Sequence, residues 1–578
     1  MVEDGRVVEV GPGPVPRRGK GVAATLCGTL ALKERAPVAE TVDRLTRRYL
    51  DVLYDASPIT ATFYGVHAYD DRLDEVTAER LDDFTRRLSE LGTEVAAVVP
   101  GSAEEAADRD ALAAQLSSHL LTEEVERPWR RNPFEAATAI PSAILLLVAR
   151  EFAPLEERLG NVALRLEAAP RFLAQARELL DEPCPLLWRR MAVGAARGGA
   201  GFLTGTLGPL ATGTRLSSRV EAVAGKAATA LEEFAGWLET EHAERFPDDA
   251  PFAIGEQALA RKLREVHCFD IPPAGFVAVG ETQLADAGDA LAEQAGRLGS
   301  GDWPATLDEV KGRHPSQEEL LPAYRKELER LEQFVFEQDL ASNPEAPALV
   351  EATPEFLRGV LGFAAYFASG PFDAWQQGYF WVTPPPEEAG LRDHSWAAIP
   401  AIAAHEGYPG HHLQITSVNR LESLTRRAVR SPVMQEGWGL YTEQLMADVG
   451  YYSDEARLAQ LSMRLFRALR IVLDMQLSAG ELSYEEAVER AMSVGRLAEP
   501  TARTEVARYT MSPTQPFGYL VGCLELERLR TESQARLQDA FRLRRFHDRV
   551  LSYGHMPPPL VARAIAAADE QEQRRVSD

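Results

Sequence analysis

Hydrophobic residues recur every three or four positions along most of the chain, the spacing that places them on one face of an α-helix. In the stretch from Ala39 to Tyr54, for example, Val42, Leu45 and Leu53 share such a face. The same spacing predicts helices at Arg80 to Val98, Asp108 to Leu121, Ile144 to Glu167, Pro170 to Leu180, Arg219 to Glu239, Gly255 to Val266, Pro273 to Arg297, Glu318 to Phe336, Val350 to Tyr366, Asp454 to Ser478, Tyr484 to Val494, Tyr519 to Leu537 and Ala540 to Val550. Alternating, strand-like stretches are scarce, so the pattern indicates a mainly α protein.

One stretch departs from the helical spacing. Between Ala364 and Trp396, aromatic residues mix with glycine and with the triplet Pro384 to Pro386. This composition favours short strands or an irregular loop. The aromatic side chains fit either a wall of an active cleft or ordinary core packing.

The N-terminal part has no sustained period. Residues 1–36 are rich in Gly, Pro and Val, which is typical of a disordered leader. Arg17 and Arg18 precede the modestly apolar stretch Gly21 to Leu32, an order that imitates an export signal only poorly. The 4 cysteines lie far apart with no paired spacing, which fits a reducing compartment. We therefore predict a cytoplasmic protein, with export as the alternative.

Composition narrows the classes of partner. The 578 residues carry a formal net charge of -25, and nucleic acid recognition rests on clustered Lys and Arg. Nucleic acid is therefore not an expected partner. No stretch approaches the roughly 20 apolar residues that a membrane-spanning helix needs, so no membrane partner is expected either.

The most informative segment is HEGYPGHH, from His405 to His412. Zinc hydrolases of the His-Glu-x-x-His type place two imidazoles four positions apart on a helix, next to a glutamate that polarises water. Here Pro409 occupies the fourth position, and on an unbroken helix neither His411 nor His412 suits a site shared with His405. Because Pro409 removes a helical hydrogen-bond donor, we predict a bulge or break that brings His405 and His411 to one ion. His412 stays the alternative ligand, or a residue that supports a ligand or contacts substrate.

A catalytic zinc needs a third protein ligand. Glu436 lies far enough beyond His411 for one helix to end and a second to return alongside it, and we predict Glu436 as that ligand. Glu443, about two turns further on the same face, is predicted to accept a hydrogen bond from a ligand imidazole and so to fix its tautomer. The expected cofactor is one divalent metal ion, Zn²⁺ before manganese or iron, which the same ligands also suit.

A second constellation lies between Arg508 and Tyr519, where two prolines and a glycine interrupt a helical region. The hydroxyl of Tyr519 or of Tyr509 can donate to an oxyanion opposite a metal ion, and Arg508 can receive a substrate carboxylate. We assign Tyr519 to catalysis, and Arg508, Tyr509 and Gln515 to substrate binding. Packing or a surface ion pair is the alternative for each.

The segment from His405 to Gln414 resembles a bacterial family named domain of unknown function 885, whose hallmark is His-Glu-x-x-Pro-Gly-His-His-Leu-Gln. Further stretches resemble the same family: Pro58 to Leu73, Glu436 to Glu443, Tyr509 to Gly522 and Phe546 to Pro557. This coverage implies one domain over residues 37–575, with the metal half at about 350–575. Thr514 stands where the family usually has glycine, so a reshaped pocket is expected.

The family is grouped with zinc-dependent peptidases. The resemblance therefore implies a helical, metallopeptidase-like (gluzincin-like) body with a central cleft and minor short strands. It also implies that Glu406 acts as the base on metal-bound water, and that amide bonds of short peptides or amino-acid conjugates are cleaved. The expected partner is then a small molecule or short peptide. A metal-stabilised binding protein without hydrolysis, and a biosynthetic enzyme that uses the same site on a small metabolite, are the alternatives.

Overall fold

The computed structural model describes residues 37–246, 248–355, 358 and 363–577. Within these residues the chain is mainly helical, as the hydrophobic spacing predicts. The helices are α1 (Pro37–Ala56), α2 (Pro58–Phe63), α3 (Ala78–Ala96), α4 (Ala103–Leu121), α5 (Pro128–Arg131), α6 (Pro133–Val148), α7 (Leu155–Leu179), α8 (Leu186–Ala211), α9 (Ser217–Glu239), α10 (Glu241–Arg245), α11 (Glu256–Glu265), α12 (Pro273–Arg297), α13 (Trp303–Lys311), α14 (Leu320–Glu337), α15 (Ile399–Glu406), α16 (His411–Val418), α17 (Leu424–Ala428), α18 (Pro432–Asp448), α19 (Asp454–Ala479), α20 (Tyr484–Ser493), α21 (Glu499–Met511), α22 (Gly518–Leu537), α23 (Leu543–Leu551) and α24 (Pro558–Ser577). The strands are β1 (Ala348–Ala352), β2 (Ala364–Phe367) and β3 (Gly378–Val382).

Residues 1–36 lie outside the described part of the chain, and short helical turns connect some of the elements within it. The predicted leader of residues 1–36 lies outside the described residues. Short 3-10 helices occur at His67–Tyr69, Glu388–His394 and Gln538–Ala540, and a π-helical turn at Thr122–Glu126. Among the described helices, none combines the length and the apolar character that crossing a membrane requires.

Helices α6 to α9 pack around a separate hydrophobic cluster that includes Leu159, Leu166 and Leu231. The hydrophobic spacing does not predict α8, because its several glycines lower helix propensity. One of them, Gly199, lies so close to α6 that a Cβ there would approach Pro141 Cγ to 2.6 Å. The glycines that weaken the helical pattern of α8 in the sequence thus include Gly199, which allows α8 to pack against α6.

Two helix predictions are wrong. The stretch from Val350 to Tyr366 contains parts of β1 and β2 rather than a helix, because its backbone pairs with β3 and Val350 packs into the core. Residues 356–357 and 359–362 of this stretch lie outside the described residues. The predicted division before Pro170 is also wrong, since α7 continues through Pro170 and the helices divide ahead of Leu155 instead.

The three strands form one sheet in the order β1-β3-β2. β1 pairs with β3 in parallel, with Ala348 opposite Gly378, and β2 pairs with β3 in the antiparallel sense, with Ala364 opposite Val382. The short strands predicted between Ala364 and Trp396 are therefore confirmed. β2 lies at an edge of this sheet, which leaves one side of its backbone free to bind side chains from α15.

The crossing of α18 and α22 depends on two glycines. A Cβ built on Gly437 would lie 2.5 Å from Gly522 Cα, and a Cβ built on Gly522 would lie 2.0 Å from the carbonyl oxygen of Val433. Both distances are far shorter than any van der Waals contact. The two helix backbones can therefore approach this closely only because neither residue has a side chain.

We predict that Gly522→Ala lowers the free energy of unfolding by about 3 kcal/mol, because the methyl group overpacks the crossing of α18 and α22. Gly92→Ala is the matched control: Gly92 lies in α3 with no atom within 4 Å of a Cβ, so alanine should stabilise by about 0.5–1 kcal/mol. Urea denaturation of both variants measures the difference. Equal stabilities would contradict the close approach of α18 and α22.

Candidate metal centre

The helix that carries His405 ends inside the histidine motif. α15 ends at Glu406 and α16 begins at His411, with a sharp reversal of four residues between them. A Cβ on Gly410 would lie 1.9 Å from the carbonyl oxygen of His405, so only glycine fits this reversal. The predicted helix break between His405 and His411 is thus confirmed.

The break brings three potential ligand atoms together. One ring nitrogen of His405, one of His411 and a carboxylate oxygen of Glu436 all lie within 4.8 Å of one another. Glu436 Oε2 is 3.7 Å from His405 Nε2 and 3.5 Å from His411 Nε2. Two ligands of a tetrahedral zinc ion, each about 2.0–2.1 Å from the metal, stand roughly 3.3–3.4 Å apart. The spacing of these atoms therefore fits a shared ion better than it fits direct hydrogen bonds.

α18 supplies both carboxylates around His405. Glu443 Oε1 accepts a 2.8 Å hydrogen bond from His405 Nδ1, the contact that its spacing from Glu436 predicts. Because Nδ1 carries this proton, Nε2 is left to face the cluster. Between the two glutamates, Gly439 lets α18 pass the imidazole, since a Cβ there would lie 2.6 Å from the His405 ring.

The electrostatics of the cluster favour a cation. Burial disfavours the charged form of His405, but Glu436 and Glu443 outweigh burial and raise the pKa of His405. Burial likewise opposes the ionised form of Glu436, and His405 and His411 outweigh it and lower the pKa of Glu436. The two shifts have one origin, a buried negative pocket that retains a proton unless another cation takes its place.

His412 lies outside the cluster of His405, His411 and Glu436. Its Nε2 donates to the carbonyl oxygen of Ala346 at 3.0 Å, and its Nδ1 accepts from the hydroxyl of Tyr366 at 2.9 Å. Both ring nitrogens are thus occupied by the protein. This arrangement favours His411 over the alternative ligand His412, which instead ties α16 to β2.

Glu406 is held by the edge strand. Its Oε2 accepts a 2.9 Å hydrogen bond from the backbone amide of Tyr366 in β2. No described residue binds its other carboxylate oxygen. Glu406 therefore has a fixed orientation and one oxygen free to accept a proton.

The residues predicted from the Arg508 to Tyr519 loop divide into two groups. The ring of Tyr519 stacks on His405 with centroids 6.5 Å apart, and burial and the nearby Glu436 raise the pKa of its hydroxyl. Arg508 instead donates to Gln515 at 2.8 Å and to Glu505 at 3.0 Å, and the buried Tyr509 donates to Glu505. Only Tyr519 of this group contacts a candidate ligand.

Residues 58–565 match the family described as a bacterial protein of unknown function, DUF885. The chain belongs to this family. Two solved structures share its fold: a proposed lipoprotein of unknown function from Shewanella oneidensis, and a proposed lipoprotein from Colwellia psychrerythraea. The first is 22% identical with a TM-score of 0.75, covering 92% of this chain and 100% of its own. The second is 18% identical with a TM-score of 0.80, covering 92% and 99%. No curated protein matches the chain.

The family resemblance leads us to expect glycine before Gln515, where this chain has Thr514, and the backbone at this position has a conformation that favours glycine. Thr514 has a φ of 71°, in the left-handed region that threonine rarely adopts. Two hydrogen bonds hold it there: its amide donates to Asp474 Oδ1 at 3.0 Å, and its hydroxyl shares a 2.8 Å bond with His267 Nε2. The threonine is therefore a strained residue whose side chain is tied into the core.

The sequence did not single out His555, which lies near the candidate metal centre. This residue is buried, and neither ring nitrogen has a hydrogen-bond partner among the described residues. Burial, with the charges of Arg430 and His411 nearby, holds its pKa well below the usual value, so the ring is neutral. The one available signal was its place within the family-like stretch Phe546 to Pro557.

We predict that Thr514→Ala lowers the free energy of unfolding by about 1–2 kcal/mol, because it keeps the strained φ and removes the bond to His267. Thr514→Gly loses the same bond but relieves the strain, which is worth roughly 1 kcal/mol, so it should be the more stable of the two. Thermal unfolding of both variants measures the order. A more stable alanine variant would refute the strain.

We predict that His411→Gln lowers bound zinc at least about tenfold, while His412→Gln leaves the metal content unchanged. The two residues are neighbours in one helix turn, so each variant controls for the other. Elemental analysis after dialysis against equal zinc gives the result. Retention of zinc in His411→Gln together with its loss in His412→Gln would reverse the assignment of the ligand.

Proposed function

We propose that this DUF885 protein is a metal-dependent, metallopeptidase-like hydrolase that cleaves amide bonds in short peptides or amino-acid conjugates. One observation supports the proposal above the others. Three atoms of His405, His411 and Glu436 converge at the spacing of zinc ligands, while Glu406 is fixed beside His405 with a free oxygen. Two histidines, a glutamate ligand and a helix-borne glutamate base form the set that zinc hydrolases of this type use.

The chemical types of the three candidate ligands indicate which ions the site would prefer. Two imidazoles and a carboxylate suit zinc first, and manganese or iron second. When bound, a divalent ion would polarise the amide carbonyl and lower the pKa of water in the site to about 7. Glu443 orients His405 through Nδ1, so that the lone pair on Nε2 would be available to hold the ion.

Glu406 and Tyr519 then divide the proton chemistry between them. Glu406 accepts the proton of the attacking water at its free carboxylate oxygen and delivers it to the leaving amine nitrogen. Tyr519 keeps its proton, since its pKa is raised, and its hydroxyl donates to the oxygen that becomes negative as water adds to the carbonyl. The products are an amine and a carboxylate, which together contain the atoms of one water molecule.

The compartment of this reaction is a separate part of the proposal. The two solved relatives are described as proposed lipoproteins, while the separated cysteines and the poor export signal of this chain favour the cytoplasm. We keep the cytoplasm as the proposed location, with export as the alternative. The chemistry of the site is the same in either compartment.

We predict that Glu406→Gln keeps full metal content and lowers kcat by about 10²–10⁴-fold, because the amide can hold the Tyr366 bond but cannot accept a proton. Glu351→Gln, on the exposed face of β1, is the matched control and should be unchanged. The assay is cleavage of dipeptides and tripeptides by zinc-loaded protein, with elemental analysis of each variant.

Two results would count against the proposal. Full turnover by Glu406→Gln would remove Glu406 from the mechanism. Tight zinc binding and peptide binding without any cleavage across the panel would favour the metal-stabilised binding protein instead.

A further inference from the structure

Arg467, in α19, is a cation without a partner near the candidate metal centre. Its side chain is only partly exposed, and its Nε is buried with no hydrogen bond. Among the described residues, none forms an ion pair or hydrogen bond with its guanidinium. Its nearest recorded contacts are aromatic faces: Cζ lies 5.8 Å from the ring centroid of Tyr519 and 6.0 Å from that of Phe466.

The other two arginines around Tyr519 are already paired. Arg470 donates to Glu505 at 2.8 Å and to the hydroxyl of Tyr509 at 2.9 Å. Arg508 donates to the same carboxylate of Glu505 at 3.0 Å. The guanidiniums of Arg467, Arg470 and Arg508 therefore lie around Tyr519 with two carboxylates nearby, Glu505, which binds Arg470 and Arg508, and Glu436. In a chain of net charge -25, this local excess of positive charge contrasts with the protein as a whole.

A buried N–H donor without an acceptor is costly, and a guanidinium is shaped to bind a carboxylate through two parallel hydrogen bonds. An anionic ligand would accept hydrogen bonds from the guanidinium of Arg467, which no described side chain does. The aromatic faces of Tyr519 and Phe466 leave the charge unneutralised while they fix the plane of the group.

Arg467 is also close enough to the metal cluster to act on the same substrate. Tyr519 stacks on Arg467 at 5.8 Å and on His405 at 6.5 Å, so the guanidinium and the imidazole are no further apart than these two distances combined. One extended residue spans about 3.3–3.6 Å. A bond cleaved at the cluster and a carboxylate one or two residues away can therefore reach both groups at once.

We propose that Arg467 binds the C-terminal carboxylate of a short peptide, so that the amide bond nearest the C-terminus is the one cleaved. This inference rests on the proposed hydrolase function and gives it a substrate class. Water adds across that last amide: the C-terminal amino acid leaves with the new amine and with its carboxylate on Arg467. The shortened peptide leaves with the new carboxylate, which carries the oxygen of water.

The test compares matched substrates with zinc-loaded full-length protein. Each peptide is offered as the free acid and as the C-terminal amide, and each is made with Asp or Asn beside the cleaved bond. The wild type should prefer the free acid in kcat/KM by about 10–100-fold, the worth of one charge-assisted pair. Arg467→Ala should lose this preference, and Arg467→Lys should keep part of it.

The matched control is Arg457→Ala in the same helix. Arg457 donates to the neutral side chains of Gln444 and Gln460, so its loss removes an arginine from α19 without touching the site. It should keep the wild-type preference. Zinc content of all variants, measured alongside, shows that a lost preference does not arise from a lost ion.

A binding measurement separates this inference from the proposed function. Calorimetry with 2-benzylsuccinate and with its monoamide, on zinc-loaded Glu406→Gln protein, needs no turnover. Weaker binding of the diacid in the double variant with Arg467→Ala supports the carboxylate site even if no peptide is ever cleaved. The inference is overturned if Arg467→Ala keeps the free-acid preference and the diacid affinity, or if the preference follows Asp over Asn rather than the C-terminus.

Discussion

The reversal between α15 and α16 is the constraint on which the candidate metal centre depends. A continuous helix would send His405 and His411 to different faces, and only a close approach of the backbone to itself corrects this. Gly410 provides that approach, since its α-carbon lies where any side chain would collide with the carbonyl oxygen of His405. The indole of Trp438 adds a second restraint, a 2.9 Å hydrogen bond to the carbonyl oxygen of Pro409. The relative positions of His405 and His411 are thus fixed by backbone packing.

α18 turns this local geometry into a site. Glu436, Gly439 and Glu443 lie on one helical face, so one helix supplies a candidate ligand, space for the His405 ring and the hydrogen-bond acceptor for its Nδ1. α18 is itself positioned by its glycine crossing with α22, the helix that begins next to Tyr519. The distance between Glu436 and Tyr519 therefore depends on a contact between two helices that neither of these side chains makes. Substitutions at that contact should disturb chemistry and stability together.

Much of this site could be predicted from the sequence because its chemistry is local. One short segment contains His405, Glu406 and His411, and the presence of Pro409 predicts the helix break between the two histidines. The helical fold could be predicted for a similar reason, since an amphipathic period is a local property. The prediction fails where local signals conflict. The glycines of α8 weaken its helical pattern. The short apolar segment of β1 fits a helix as well as a strand in the sequence, and only its pairing with β3 distinguishes the two.

The partners of charged groups could not be predicted, because pairing is decided by tertiary contacts. Arg508 attracts attention in the sequence because it lies next to a loop with two prolines, yet in the structure its guanidinium is hydrogen-bonded to Glu505 and Gln515. Arg467 lies in the middle of an ordinary helix, and what distinguishes it is the lack of any partner among the described side chains. His555 is a similar case, a lone histidine in the sequence that the fold places near His411.

These unpaired groups resemble the candidate metal centre in one physical respect. A folded protein retains a buried charge or an unbonded polar atom only where another interaction compensates the free-energy cost of its desolvation. Around His405 the carboxylates give an excess of negative charge that favours a cation, whereas the unpaired guanidinium of Arg467 favours an anion. The ring of Tyr519 contacts both His405 and Arg467. Such opposite excesses side by side are complementary to a ligand with an electron-rich carbonyl at one end and a carboxylate at the other, which describes the last residues of a peptide more closely than it describes a neutral metabolite.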